Sequence, residues 1–445
     1  MKIKLPSREY NDHTFWVLFF ILIGVAVIAL FSAGSTLTYK HHSFLGPVMQ
    51  QSLYLAFGVA VAYLVQYLPT WSIRLGGMLL LAGSLLCLYL MLIPGNPFGK
   101  ELNGAVRWFQ IGGFRFQPSE LAKPGLIIVV SDLLTRPAND EEKKRNFFIT
   151  LGLTIITCLP LVMSNLSTAM LLGFIVVLLW FLSRQPVKYV LSVVGTAVVL
   201  LVVGYFVIEF GFVRPHRQLK GPFERAVTQV KRVDAMIEDI KRPSSEITMT
   251  KENYQRNLAK VAVMRGGKSP VGVLPGNSQE RDFLPLAYAD YIFAIIVEET
   301  GVVGAVFLML LYLAILIRAC YVSSRYADYA AMMMMMGLAL MLTCQALVSM
   351  AVSVGLGPVT GQPLPLISHG GTSAVMTSLY FGIRMFCSRA TILRRLPRLD
   401  WMTISLFHAN LYKLTYYEIP DQWRRHRRTY LPRRKYCQRI VRTGP

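Results

Sequence analysis

Long apolar runs alternate with shorter polar stretches along most of the chain. Runs at roughly 14–34, 48–68, 72–94, 119–135, 147–163, 166–183, 188–212, 289–318, 329–354 and 368–388 approach or exceed the ~17–25 residues that a helix needs to cross a bilayer. The pattern predicts an all-α integral membrane protein of about ten transmembrane helices, with a large extracytoplasmic loop, 213–289, between the seventh and eighth. The first run is followed closely by others and has no small-residue cleavage site after it, so it reads as a retained helix and not as a signal peptide. On this division residues 1–13 are a cytoplasmic N-terminus, 14–388 the membrane domain and 389–445 a basic cytoplasmic tail.

Composition agrees with a membrane protein: of 445 residues, 54% are hydrophobic and only 16% charged, which excludes an ordinary soluble domain. Orientation follows from Lys and Arg in short flanks. The basic start at Lys2 and Lys4, the loop from Arg136 to Arg145 and the tail after Arg389 share one side, the cytoplasm; the 213–289 loop is long enough to escape the rule and sits outside. Half of the net charge of +22 comes from the tail, which includes Arg424-Arg425-His426-Arg427-Arg428. A juxtamembrane cluster of this kind meets anionic lipid, and no aromatic interleaving points to nucleic acid. The six cysteines have neither pair nor metal spacing, and the histidines form no His-x-x-x-His pattern. The run Met332 to Met336 reads as apolar packing, not as a cofactor box.

Three polar segments fall outside: 96–119, 213–289 and 355–371. The second runs from Gly266 to Ala289 into the apolar stretch Tyr291-Ile292-Phe293-Ala294-Ile295-Ile296, with Asp290 at the junction. A carboxylate at a membrane mouth is costly unless paired, solvated or functional, so Asp290 is a candidate functional group. The competing reading is a helix N-cap. The first segment carries Arg107-Trp108 and continues through Gly112-Gly113 to Gln117-Pro118-Ser119-Glu120. Pro118 or Ser119 is placed to open a helix there, which puts Glu120 and Lys123 on one face at i and i+3. Within the large loop, 222–242 sets Arg225, Lys231, Arg232, Lys241 and Arg242 among apolar positions, as a helix lying on the membrane with its basic face toward headgroups does. Residues 264–290 are basic and glycine-rich beside a carboxylate, which suits a phosphate-bearing substrate. In the last segment, small residues from Gly357 to Ser373 permit close backbone approach or a broken helix lining a cavity; a re-entrant structural loop is the competing reading.

Taken in order, these segments resemble the signatures of the SEDS family, the shape, elongation, division and sporulation proteins. Asn103-Gly104-Ala105 with Arg107-Trp108, then Gln117-Pro118-Ser119-Glu120 with Ala122-Lys123, resembles the first outer-loop signature. Asp290-Tyr291-Ile292-Phe293-Ala294-Ile295 with Glu298-Glu299 and Gly301 resembles the aspartate-bearing one, and Leu364-Pro365-Leu366-Ile367-Ser368 with Gly370-Gly371 the last. Two departures stand out. Pro285-Leu286-Ala287-Tyr288-Ala289 lacks the acid and imidazole usual before the aspartate, and Ser164-Asn165-Leu166-Ser167-Thr168 has an amide where the family has a carboxylate.

The resemblance implies a peptidoglycan glycosyltransferase that polymerises lipid II at the outer face of the bacterial cytoplasmic membrane. Such a reaction needs a base for the acceptor hydroxyl and cations for a departing pyrophosphate. Asp290 is the expected base; Arg107, Lys123, Arg265 and Lys268 are expected near pyrophosphate, with Glu120 holding Lys123; Gln117, Ser119, Gln279, Ser368, Gly370 and Gly371 are expected to line the substrate site. Glu298 falls about two turns, ~12 Å, deeper and is expected to be structural or coupling. A divalent cation, Mg²⁺ or Mn²⁺, is expected to assist the leaving group with no dedicated ligands identifiable. Expected partners are a class B penicillin-binding protein, other divisome or elongasome proteins, lipid II and membrane lipid, with no nucleic acid. The texture of the first two spans and the basic tail favours the division branch over the RodA-like elongation branch. Ten helices with charged groups also suit a lipid II carrier, but a carrier places its groups near the midplane and often shows two related halves. A noncatalytic scaffold, the third reading, leaves the convergence of Asp290, Lys123 and Arg107 unexplained.

Overall fold

A computed structural model of the chain describes residues 13–389, apart from 34–44, 94, 97, 103–104, 113, 137–138, 214–226, 229, 235–236, 238–253, 285–286, 325–327 and 359. The N-terminal residues, Asn103, Gly104 and the tail from 390 onward lie outside the described residues. The helices are α1 (His13–Ala33), α2 (Leu45–Val65), α3 (Thr70–Leu90), α4 (Pro118–Thr135), α5 (Asp140–Leu182), α6 (Val187–Ile208), α7 (Tyr254–Gly267), α8 (Ile292–Ser323), α9 (Tyr329–Ser353) and α10 (Gly371–Arg389). The apolar runs all fall on helices, and seven of these, α1, α2, α3, α5, α6, α8 and α9, are long and apolar enough to cross a membrane. The chain is an all-α, multi-pass membrane protein. Helices α4 and α10 carry more polar side chains because protein rather than lipid surrounds them: α4 buries Glu120, Lys123, Ser131 and Asp132, and α10 buries Thr377, Ser378 and Arg384.

In lipid, helices associate by close packing, so interfaces favour small residues. Helix α2 lies against α10 where Gly382 meets the backbone of Ala62, and α3 lies against α4 where a side chain at Gly125 would stand 2.7 Å from the Leu81 amide. The same two-sided logic shapes α1, in which Phe15, Phe19, Leu22, Ala26 and Ala33 face inward at helical spacing while Val17, Phe20, Ile28 and Phe31 face out. Helix α5 is a hairpin. It breaks at Asn165 (φ −158°, ψ 90°), and Trp180 Nε1 donates to Thr150 Oγ1 at 3.0 Å, a pair that a straight helix would hold about 45 Å apart.

The outer segment between α3 and α4, read from sequence as a polar loop, is instead a small antiparallel meander. Strands β1 (Gly99–Leu102), β2 (Ala105–Ile111) and β3 (Phe114–Phe116) pair in chain order. Lys100 pairs with Trp108 and Glu101 with Val106, so Arg107 is the extra residue of a bulge in β2, a feature that interrupts the strand's alternation and re-aims a side chain. Phe109 is buried, 5.6 Å from Phe98 and 5.5 Å from Phe116 between ring centroids.

Helix α8 is the largest departure from a simple span. At Gly301 the backbone turns to φ 67°, ψ −161°, a region open mainly to glycine. Before the break, residues 292–299 are buried on every side; after it, Val302, Val303, Phe307, Leu310 and Ile317 face outward. Residues 302–323 suffice to cross a bilayer, at about 33 Å. The segment 292–300 is therefore a separate, protein-embedded helix. Interrupting a helix leaves carbonyls without partners, and the loop after α7 supplies them: Val273 N donates to Glu298 O at 3.0 Å and Leu274 N to Glu299 O at 2.9 Å. Val303 N returns a bond to Pro270 O at 3.1 Å.

A Cβ at residue 301 would collide with the Pro270 carbonyl in addition to straining the backbone. Gly301→Ala is expected to cost at least about 1–3 kcal/mol, read as a lower melting temperature of the detergent-solubilised protein. An unchanged melting temperature would contradict a break held by this contact.

Candidate active site

Two loops and a helix break meet in front of α8. Strand β2 carries Arg107 to the turn of the α5 hairpin, where its Nε donates to Ser164 O at 3.3 Å. Asn165 starts the second leg of that hairpin, its Oδ1 accepting from Thr168 N at 3.4 Å in the manner of an N-cap. Thr168 Oγ1 in turn accepts from Gln362 Nε2 at 2.6 Å, joining the hairpin turn to the α9–α10 connector.

That connector fixes the turn bearing Asp290. Ser368 Oγ donates to Ala289 O at 2.5 Å, and the same oxygen accepts from Leu364 N at 2.7 Å. His369 N donates to Tyr288 O at 2.9 Å. Gly370 N donates to Gln51 Oε1 of α2 at 3.2 Å, and Gly371 packs directly on Tyr54. Ser368, Gly370 and Gly371 thus staple the preceding turn of α8 to the bundle. Tyr291 occupies the N-cap position of α8, so Asp290 stands one residue outside the helix and is not the cap of the competing reading.

The connector also brings Arg107 and Asp290 to one place. Gly361, at φ 61°, lies between them: a Cβ there would stand 3.2 Å from Arg107 Nη1 and 3.7 Å from Asp290 Oδ2. A second cation, Arg232, comes from the helical residues 230–234, which α6 anchors through Tyr205 Oη donating to Asp234 Oδ1 at 2.6 Å. Burial raises the Asp290 carboxyl above the ordinary range, against the opposing pull of Arg107 and Arg232. Burial likewise lowers Arg107, against the favourable charge of Asp290 and with the repulsion of Arg232. Tyr288 and Tyr291 are both raised by burial and by the neighbouring Asp290.

The remaining sequence candidates divide by place. Gln117 is half-buried at the N-cap of α4, with Pro118 at the first helical position. Ser119, Glu120 and Lys123 are buried inside the bundle; Lys123 Nζ donates to Glu120 Oε1 at 2.6 Å and to Gln345 Oε1 of α9 at 3.0 Å. Gln345 Nε2 donates onward to Pro363 O at 3.0 Å. The pair therefore cross-links α4, α9 and the connector. Arg265 reaches Glu280 at 3.2 Å and Glu298 at 3.5 Å. Glu298 also accepts from Gln279 N at 3.1 Å and from Ser278 Oγ, while Glu299 accepts from Gly276 N at 3.1 Å and from Ser32 Oγ of α1. Arg265, Glu298 and Glu299 hold the loop on the broken helix. The side chains of Lys268 and Gln279 are exposed.

Three site features escaped the sequence reading. Arg232 was assigned to headgroups, although its place in an amphipathic basic stretch was visible. Gly361 gave only the general signal of a glycine-rich loop. Arg256 on α7, which faces Tyr291, carried no motif. Among the described residues no group of three or more His, Cys, Asp or Glu side chains is arranged to hold a metal ion. The described residues thus offer no dedicated ligand set for a divalent cation.

The sequence profile FTSW_RODA_SPOVE, described as cell cycle protein, matches residues 12–392. The chain is 31% identical over 380 residues to the probable peptidoglycan glycosyltransferase FtsW of Marinomonas mediterranea, covering 81% of this chain and 85% of that one. It is 28% identical over 296 residues to the peptidoglycan glycosyltransferase MrdB of Escherichia coli K12, covering 66% and 74%. Among solved structures, a chain of a peptidoglycan synthase complex that coordinates polymerization and crosslinking superposes with TM-score 0.65 at 26% identity over 86% of this chain and 98% of that one. The rod shape determining protein RodA of Thermus thermophilus superposes with TM-score 0.58 at 23% identity, over the same shares, and attests the fold.

Removing one member of a buried ion pair leaves an uncompensated charge at a cost of about 3–5 kcal/mol. Lys123→Met and Glu120→Gln should each lower stability by that order, and the double variant should recover much of the loss. Additive losses in a double-mutant cycle would show that the two do not act as a pair. Asn165→Asp, whose carboxylate oxygen can cap Thr168 as the amide does, is expected to leave stability and activity near wild type, and strong inactivation would contradict that capping role.

Proposed function

The chain belongs to the FtsW/RodA/SpoVE family of cell cycle proteins, and from that premise we propose that it is a peptidoglycan glycosyltransferase polymerising lipid II into glycan strands. The observation that carries this reading is Asp290 held beside Arg107 at Gly361 in front of a protein-embedded helix. Chemistry of this kind needs one group that takes a proton and others that meet a developing diphosphate charge. Asp290 supplies the first. Its carboxylate accepts the proton of the acceptor sugar hydroxyl as that oxygen bonds to the anomeric carbon of the donor. The bond from that carbon to the lipid diphosphate breaks, and undecaprenyl diphosphate leaves with the bonding electron pair. Burial makes Asp290 a stronger base than an exposed carboxylate, while the charges of Arg107 and Arg232 oppose that rise. The two guanidiniums also face the leaving diphosphate with donors that a carboxylate does not neutralise fully.

Lys123, Glu120, Arg265 and Ser368 act in this scheme as framework, through the contacts they make with α9, Glu298 and Ala289. Ser119, buried in the bundle, and Gly370 and Gly371, packed on α2, join that framework; Gln117, Lys268 and Gln279 are substrate-facing in the proposal where the bound disaccharide-peptide extends beyond Asp290. Three further parts of the reading rest on family and sequence: a site on the outer face of the bacterial cytoplasmic membrane with both termini inside, a class B penicillin-binding protein as partner, and septal synthesis in division. A peptidoglycan synthase complex among the structural relatives supports the partner. Carrier activity is less well supported, because the charged groups converge beyond the N-terminal end of α8 and not at mid-span.

The test is polymerisation of lipid II by the purified protein with its transpeptidase partner. Wild type should form glycan strands, and Asp290→Asn should lose at least about 10²-fold in rate, the order expected of a general base, while its melting temperature stays within a few degrees. Glycan formation by Asp290→Asn at the wild-type rate would remove Asp290 from the base role; lipid II movement across vesicles without any polymer would favour a carrier.

A further inference from the structure

The glycines of this chain serve different ends. At Gly125, Gly266 and Gly382 a side chain would run into the backbone of a neighbouring helix, so there the glycine permits close packing. Gly361 is different. The three atoms nearest to the place of its missing Cβ are Arg107 Nη1 at 3.2 Å, Asp290 Oδ2 at 3.7 Å and Arg107 Nη2 at 3.9 Å. Charged side-chain tips border that place, and Gly361 is half-exposed, so a ligand can reach it. Opposite charges this near attract strongly in a partly buried site, yet each is tied back by its own surroundings. Arg107 Nε donates to Ser164 O at 3.3 Å, and the turn of Asp290 is held through Ala289 O and Tyr288 O. Among the described residues the two do not close into an ion pair with each other, and Gly361 stands between them. The result is a gap about one atom wide with a donor on one wall and an acceptor on the other. An anion is mismatched to it, because a charge that suits Arg107 is repelled by Asp290. A neutral hydroxyl suits both walls: its oxygen accepts from Arg107 Nη1, at hydrogen-bonding distance, and its proton faces Asp290 Oδ2.

We propose that the gap over Gly361 seats the acceptor sugar hydroxyl, and that Gly361 is a positioning residue of the reaction because a residue without a side chain leaves the gap open. This rests on the polymerase reading. The seated oxygen gives its proton to Asp290 Oδ2 and bonds the anomeric carbon of the donor. The bond from that carbon to the diphosphate breaks, and the leaving group keeps the electron pair. Other donors of the Arg107 fork meet the diphosphate from outside the gap. The φ of 61° at residue 361 also calls for glycine, and the two demands separate in one pair of variants. Asn tolerates the left-handed region better than Ala, but its carboxamide reaches farther into the gap and bridges Arg107 and Asp290.

Full-length wild type, Gly361→Ala and Gly361→Asn are compared for polymerisation of lipid II with the transpeptidase partner and for melting temperature in detergent. Stability should follow the backbone, with Asn close to wild type and Ala lower. Turnover should follow the gap, in the opposite order. Gly361→Asn should lose at least about 10²-fold in kcat, the order for a reacting atom misplaced by ~1 Å, with KM for lipid II little changed, and Gly361→Ala should lose less. Wild-type turnover in Gly361→Asn, or turnover above that of Gly361→Ala, would assign the glycine to the turn alone and overturn the proposal. So would a Gly361→Asn protein that does not fold, because an open gap admits the side chain. Polymer from wild type with any of these results faults the gap alone, whereas no polymer from wild type removes the polymerase reading and the role of the gap with it.

Discussion

The break in α8 at Gly301 is the constraint on which the site depends. A helix entering a bilayer cannot be interrupted unless its freed carbonyls find donors, and here the loop after α7 provides them at Glu298 and Glu299. The same two residues use their side chains to hold that loop from Gly276 to Gln279. Backbone and side chain thus act together to keep 292–300 as a separate helix, enclosed by protein, with its N-terminal end directed at β2 and the connector. Without this arrangement Asp290 would begin an ordinary lipid-facing span, in water at its mouth and with no reason to be a strong base.

A second layer of constraint comes from buried polar groups that link distant segments. Lys123 and Glu120 tie α4 to α9, Gln345 ties α9 to the connector, and Ser368 ties the connector to the turn of Asp290. Each link alone is an ordinary hydrogen bond or ion pair. In series they make the position of Asp290 depend on residues that never touch it. Such residues read as site residues from their polarity and their place at helix mouths, although their geometry is that of scaffolding.

Much of the fold was legible because hydrocarbon imposes long apolar runs, and each run lies on a helix. The legible part of the site was Asp290, at a junction of polar loop and helix, with Arg107, in the polar segment that leads to another. What escaped was set by tertiary contact. Apolar patterning runs straight through Gly301, and the meander of 99–116 reads as a loop because its strands are short. Arg265 sits in a basic, glycine-rich stretch that suggests phosphate, yet Glu280 and Glu298, 15 and 33 positions away in sequence, claim it. Arg256 had no motif at all, and only the packing of α7 beside Tyr291 gives it a place.

The most direct measurement is the pH dependence of polymerisation by wild type beside Arg107→Gln. A base must be ionised to act, so the rate falls as pH drops through the pKa of Asp290. Burial raises that pKa and Arg107 opposes the rise. Wild type should therefore lose activity on the acid side at a pH above the ordinary carboxylate range, and Arg107→Gln should begin to lose it at higher pH still. An acid limb at the ordinary carboxylate value in both proteins, or one that moves to lower pH in Arg107→Gln, would contradict a half-buried carboxylate poised by that guanidinium.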